Sequence, residues 1–120
     1  VEAGYAVSSL AQVHLRTGDP ARAEEQARTA LELLGGRADV LDEVGNVQLV
    51  LGRALMELDR PDDAEAAFTA AEACFGGRES VSLAAAAWMA RGELALARDD
   101  SAGAAQLYRQ AAEALQDFHF

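Results

Sequence analysis

An internal repeat constrains the fold of this chain more than any other feature of its sequence. Sliding the sequence by 41 and then by 40 residues brings small and apolar residues into register. The clearest aligned columns are Ala11, Gly52 and Gly92; Leu15, Met56 and Leu96; Ala23, Ala64 and Ala104; Ala27, Phe68 and Tyr108; Ala30, Ala71 and Ala111; and Leu34, Phe75 and Leu115. Small residues at fixed columns let two helices approach closely, and large neighbours fill the holes between them. The columns therefore predict helix-to-helix contacts that recur in three units.

Turn and capping signals divide each unit into two helices. Gly18, Asp19 and Pro20 predict a helix end followed by a new helix, with Asp19 as its N-cap and Pro20 as its first residue. Equivalent turn signals and helix-ending glycine pairs occur at Arg60-Pro61, Asp100-Ser101, Gly35-Gly36 and Gly76-Gly77. The predicted helices cover about 2–17, 20–34, 39–58, 61–75, 80–98 and 101–117, in units of about 1–36, 37–77 and 78–120.

The composition is that of one all-α domain. A chain of 120 residues suits a single domain, and much of its 51% apolar content is alanine, which favours helix over strand. All 10 basic residues are arginine, so a Schiff-base lysine and the lysine of a phosphate-binding P-loop are both excluded. The bias towards alanine and arginine is typical of a GC-rich bacterial genome. Because the chain begins without methionine, we expect it to be a fragment of a longer protein.

Charge and hydropathy limit the partners and the compartment. The net charge of −10 repels phosphates, so we expect no direct nucleic-acid contact by this segment. The same charge either steers a basic partner or serves as a solvated exterior. The longest apolar run, residues 83–90, is far shorter than the ~20 residues that span a bilayer, and the single cysteine allows no internal disulfide. We therefore expect no membrane contact and a cytoplasmic location.

Residue patterns for catalysis or metal binding are missing from the sequence. His14 and His119 lie far apart and outside any metal-ligand spacing, and no serine stands in a Gly-x-Ser-x-Gly turn. Cys74 has no neighbouring cysteine and Trp88 lies in a packing column, so both are predicted to be buried packing residues. We predict that the chain is not an enzyme and holds no cofactor or metal.

Three stretches carry a resemblance to a known repeat family. They are Gly18-Asp19-Pro20-Ala21-Arg22-Ala23-Glu24; Leu51-Gly52 with Ala64, Phe68 and Ala71; and Trp88 and Gly92 with Tyr108 and Ala111. There the chain resembles the tetratricopeptide repeat family, which implies an α-solenoid of three helical hairpins, six helices in a right-handed superhelix, that binds a peptide or protein partner. Its repeat of 40–41 residues is longer than the family's usual ~34. Such extended repeats are similar to the C-terminal sensor regions of bacterial helix-turn-helix transcriptional regulators.

The resemblance also implies that the first helix of each unit lines a concave groove. The residues expected to face this partner-binding groove are Tyr5, Ser8, Gln12, Asn46, Leu49, Arg53, Met56, Ala86, Met89, Glu93 and Leu96. Gln12 and Asn46 can hydrogen-bond an extended backbone, and Arg53 can pair with a carboxylate. Two alternatives stay open: several of these side chains are packed between helices, or the chain is a structural or dimerisation domain. In the second case the apolar end at 118–120 would form a homodimer without ligand recognition.

Overall fold

The computed structural model describes residues 1–75 and 81–117, and these form helices joined by short turns. The helices are α1 (Glu2–Arg16), α2 (Pro20–Leu34), α3 (Leu41–Glu57), α4 (Pro61–Cys74), α5 (Val81–Ala97) and α6 (Ser101–Asp117), with a 3-10 turn at Ala38–Val40. The six predicted helices are confirmed, with bounds that agree for α2 and α6 and differ by at most two residues for the others. The predicted glycine stop at 76–77 and the aromatic end at 118–120 lie outside the described residues.

The turn between the two helices of each hairpin has the same backbone geometry in all three units. One residue at the same repeat column takes a left-handed conformation, with φ of 82° at Gly18, 59° at Asp59 and 60° at Asp99. The next residue donates its backbone N–H to the carbonyl five residues before it, as Asp19 does to His14 at 2.8 Å. This bond is typical of a helix end that closes on a left-handed residue. The repeat in sequence is therefore also a repeat in backbone conformation.

Capping follows the turn and starts the second helix of the hairpin. The predicted N-cap at Asp19 is confirmed, because its carboxylate accepts a 3.2 Å hydrogen bond from the backbone N–H of Arg22. In unit three, Asp100 accepts a 2.9 Å bond from the N–H of Gly103 in the same way. In unit two the chain enters α4 through Pro61, whose missing N–H is not needed at the first helical position.

Glycines on the first helices let large side chains of the second helices sit against the backbone. A Cβ added at Gly52 would lie 2.3 Å from Cε1 of Phe68, and one added at Gly45 would lie 2.4 Å from the ring of Phe75. Both distances are far below van der Waals contact, so only glycine fits. The hairpins of the stack are therefore held by close helix-to-helix packing, as the small-residue columns predicted.

The hairpins stack into a solenoid with two layers of helices. Along the stack, α3 packs on α1 and α2, and α5 packs on α3 and α4. Neighbouring first helices are in closer contact with each other than neighbouring second helices are. We therefore assign α1, α3 and α5 to the inner layer of the curved stack. Within the described ranges, no helix has the length and apolar character needed to cross a membrane.

Candidate functional site

The inner layer arranges side chains in rows, because residues at the same repeat column lie at the same height on α1, α3 and α5. We call the surface formed by four such rows the inner face. The rows are Tyr5, Asn46 and Ala86; Ser8, Leu49 and Met89; Gln12, Arg53 and Glu93; and Leu15, Met56 and Leu96. Every residue predicted to line the groove belongs to one of these rows, and the fourth row is apolar in all three units.

An ion pair crosses the inner face between units two and three. Nη1 of Arg53 donates to Oε2 of Glu93 at 2.8 Å, and the two side chains are 42% and 46% exposed. Ion pairs this exposed contribute only ~0–1 kcal/mol to stability, so a ligand can replace either partner at low cost. The guanidinium predicted to bind a carboxylate therefore already binds one, and it supplies its charge to the inner face only as half of a pair.

Two of the predicted groove residues point into the packing between helices. Ser8 is 1% exposed, and its hydroxyl donates a 2.9 Å hydrogen bond to Oε1 of Glu43, which ties α1 to α3. Leu49 is half-buried and packs against both the main apolar core and the smaller apolar cluster. These two residues stabilise the stack from the inner layer, which corresponds to the packing alternative left open above.

The remaining predicted residues reach the solvent on the inner face. Tyr5 and Met89 are 41% and 37% exposed, and Gln12 and Glu93 are also exposed. The half-buried members are Asn46, Arg53, Met56 and Ala86. The structure thus brings a tyrosine, two methionines, two amides and an ion pair onto one surface, which suits a partner that offers both apolar and polar groups.

A shallow depression marks the apolar row between α1 and α3. Its volume is about 180 Å³, and it is lined by Leu15, Met56, Arg53 and Glu57. Further along the row, Leu96 is 50% exposed. The sequence reasoning did not select Leu15 or Glu57 for the site. The repeat alignment contained the signal for Leu15, which shares its column with Met56.

Two larger clefts lie on the opposite side, between neighbouring second helices. The one between α4 and α6 has a volume of about 430 Å³, and the equivalent one between α2 and α4 about 310 Å³. In the first cleft, Arg91 donates to Glu65 at 3.3 Å and to Glu72 at 2.8 Å, and Arg98 pairs with Asp62. The arginines there already have carboxylate partners, and they tie unit three to unit two.

Cys74 and His14 show no arrangement for catalysis or metal binding. Burial raises the pKa of the Cys74 thiol, and the negative charge of Asp42 raises it further. The thiol is therefore protonated at neutral pH and is a poor nucleophile. Nδ1 of His14 lies within hydrogen-bonding distance of Oε1 of Gln26. In residues 1–75 and 81–117, no group of three His, Cys, Asp or Glu side chains is placed to hold a metal ion.

The fold defines a class of protein, the helical-hairpin solenoids. The model of the tetratricopeptide repeat family matches residues 49–117, more than half of the chain. The chain therefore belongs to the tetratricopeptide repeat family, whose members are typically non-catalytic modules for protein–protein interaction. The match covers units two and three, and unit one shares their turn geometry. A comparison with the curated proteins found no match.

Proposed function

We propose that the inner face binds a peptide or protein segment, and that the chain is the sensor or interaction region of a bacterial transcriptional regulator. The observation that carries the first part is the set of exposed side chains on the inner face that the core does not use. Met89 and Leu96 are 37% and 50% exposed although they are apolar, and they lie beside the exposed Arg53–Glu93 pair. Apolar surface left open next to charged groups is typical of interaction sites.

The chemistry of the inner face indicates what its ligand offers. Leu15, Met56 and Leu96 form an apolar row that methionine flexibility allows to adapt to different side chains. The adjacent row of Gln12, Arg53 and Glu93 offers an amide, a cation and an anion. A segment with apolar side chains on one edge and polar groups on the next fits both rows. We expect affinity to come mainly from the apolar row and orientation from the polar row.

Peptide binding is the direct test of the proposed site. A library of short synthetic peptides is screened against the purified chain, and the strongest binder is titrated by fluorescence anisotropy against Arg53→Ala and Asn46→Ala. Both variants are expected to bind at least ~5-fold more weakly, which corresponds to about 1 kcal/mol. The matched control is Arg28→Ala, because Arg28 is 50% exposed and paired to Glu24, but on α2. Equal affinity of all four proteins would contradict an inner-face site.

The role in transcription rests on the long repeat and needs a separate test. The repeat of 40–41 residues is similar to that of the sensor regions of bacterial helix-turn-helix regulators. A cytoplasmic location follows from that role. The test is the genomic reading frame around the segment encoding Val1, together with a promoter reporter in the source organism. A helix-turn-helix encoded upstream and a reporter response lost in Arg53→Ala support the role, whereas a frame without any DNA-binding segment contradicts it.

A further inference from the structure

Helix α1 carries an apolar stripe that faces solvent. The stripe consists of Ala3, Ala6, Leu10 and Val13, and the last two are 45% and 52% exposed. At the equivalent repeat columns the later units bury or half-bury their residues: Leu51 is 4% exposed, Leu94 is 2% exposed, and Val44 and Arg91 are half-buried. The same face of a first helix is therefore covered in units two and three and open in unit one.

The later units show what covers this face, which is the second helix of the preceding unit. Leu51, the equivalent of Leu10 in α3, lies beside Leu31 and Arg28 of α2. In α5 the equivalent residue is Arg91, which is bound by Glu65 and Glu72 of α4. In α4 two glutamates seven positions apart thus bind the side chain at this column, whereas in α2 the neighbouring residues are Arg28 and Leu31.

The matching half of such a contact lies on α6, the last helix that the structure describes. In α6, the columns of Glu65 and Glu72 hold Ala105 and Ala112, and both alanines are exposed. Where α5 has an arginine, α4 has two glutamates; where α1 has Leu10, α6 has two alanines. Ala105 and Ala112 thus offer an apolar contact to a leucine, where Glu65 and Glu72 offer a charged contact to Arg91.

We propose that α6 of one copy packs on the apolar stripe of α1 of a second copy, with Leu10 of the second copy between Ala105 and Ala112 of the first. The contact continues the α4–α5 type of stacking from one molecule into the next. Because its two surfaces differ, it adds copies end to end and does not close a two-fold dimer. Each copy carries a net charge of −10, so salt strengthens the association by screening repulsion between copies.

Sedimentation equilibrium at rising protein concentration tests this contact. The wild-type chain is compared with Leu10→Glu and with the double variant Ala105→Glu/Ala112→Glu, all at exposed positions that leave the fold intact, as circular dichroism checks. The control is Leu96→Glu, a leucine of similar exposure on the inner face. We expect the mean mass of the wild type and the control to rise from micromolar to millimolar concentration without stopping at the dimer, and both end-surface variants to stay monomeric.

Mixing the variants separates an end-to-end contact from other modes. A mixture of Leu10→Glu with Ala105→Glu/Ala112→Glu retains one intact pair of surfaces, because the first variant keeps its α6 and the second keeps its α1. The mixture should therefore form dimers and nothing larger. Leu10→Arg mixed with the double variant should restore longer assemblies, because arginine then meets two glutamates as in the α4–α5 contact.

Three results would overturn the proposal. The first is a wild-type chain that stays monomeric at all protein concentrations. The second is an Ala105→Glu/Ala112→Glu variant that still self-associates, and the third is a Leu96→Glu control that loses association as Leu10→Glu does. The second result would indicate α1-to-α1 pairing, and the third an inner-face contact.

Discussion

Gly52 and Phe68 illustrate how residue sizes are matched across one hairpin. The ring of Phe68 occupies the space where a side chain at 52 would stand, with Cε1 only 2.3 Å from the position of a Cβ. In unit one the same two columns hold Ala11 and Ala27, both fully buried. One hairpin therefore uses a glycine with an aromatic ring, and another uses two alanines, to fill the same helix-to-helix space.

Gly52→Ala is expected to lower the free energy of unfolding by about 2 kcal/mol, because overpacking a tight contact costs ~1–3 kcal/mol. Phe68→Ala should lower it by ~3–5 kcal/mol through the cavity it leaves. The double variant copies the alanine pair of unit one, so its loss should be at least ~1 kcal/mol smaller than the sum of the single losses. Urea unfolding measures all three proteins, and strictly additive losses would contradict the size match.

Cys74 is expected to react slowly with iodoacetamide at neutral pH, because burial raises the pKa of its thiol and only the thiolate attacks. The alkylation rate should rise with pH through a midpoint above that of the same chain unfolded in urea. Equal midpoints in the folded and unfolded chains would contradict this. Because the folded-state pKa is the higher one, stability linked to the thiol is full below the unfolded pKa and is lost as pH rises through the folded pKa.

At the scale of the element, each hairpin depends on a turn with one left-handed residue. Glycine takes this conformation freely, but Asp59 and Asp99 take it against the repulsion between Cβ and the carbonyl that follows. Aspartate is among the few residues that occur there with some frequency. The same turn is therefore unstrained in unit one and mildly strained in the two later units.

Asp59→Gly and Asp99→Gly are each expected to raise the free energy of unfolding by about 0.5 kcal/mol. Relief of the left-handed strain, ~1–2 kcal/mol, exceeds the ~0.4–1 kcal/mol that glycine loses through its more disordered unfolded state. Gly18→Ala is the reciprocal variant and should lower stability by about 1 kcal/mol. The measurement is the midpoint of urea unfolding, provided that the dependence of the unfolding free energy on urea concentration is unchanged. A destabilised Asp59→Gly would show that the aspartate side chain stabilises the turn by more than its left-handed conformation costs.

At the scale of the whole molecule, the contacts between units differ in kind. The main apolar core runs through all three units and includes Leu34, Leu55 and Leu94. Units two and three share a smaller apolar cluster and a polar network, in which Glu72 accepts hydrogen bonds from Arg91 and from the Trp88 indole at 2.8 Å each. A solenoid is held only by contacts between neighbours, so unit three depends on this network together with its part of the main core.

Arg91→Ala is expected to loosen unit three before the rest of the molecule. Losing its hydrogen bonds to two carboxylates should cost about 2 kcal/mol at that junction. In urea, the Trp88 fluorescence transition should then precede the loss of helix seen by circular dichroism, whereas the two coincide in the wild type. Arg37→Ala, which removes an exposed pair with Asp39, should change neither transition measurably. Coincident transitions in Arg91→Ala would mean that the three units unfold as one.

The sequence by itself determined the helices, the turns and the number of units. Helical periodicity, the Asp19 cap and the prolines act through residues a few positions apart, so they can be recognised without knowing the rest of the fold. The 40–41 residue repeat then placed first-helix columns on a common face. It did not reveal that the Gly4 and Gly45 column receives large side chains of α2 and α4, although the alignment contains it.

Only the tertiary structure decided which inner columns are open to a partner. Ser8 turns into the stack because Glu43, 35 positions away, accepts its hydroxyl, and Arg53 is held by Glu93, 40 positions away. Such pairs depend on how one unit is rotated against the next, and no local pattern records that angle. Leu10 and Leu51 share a repeat column, yet Leu10 is 45% exposed and Leu51 is 4% exposed. This difference depends on which described helices pack beside α1 and α3, and the sequence columns do not show it.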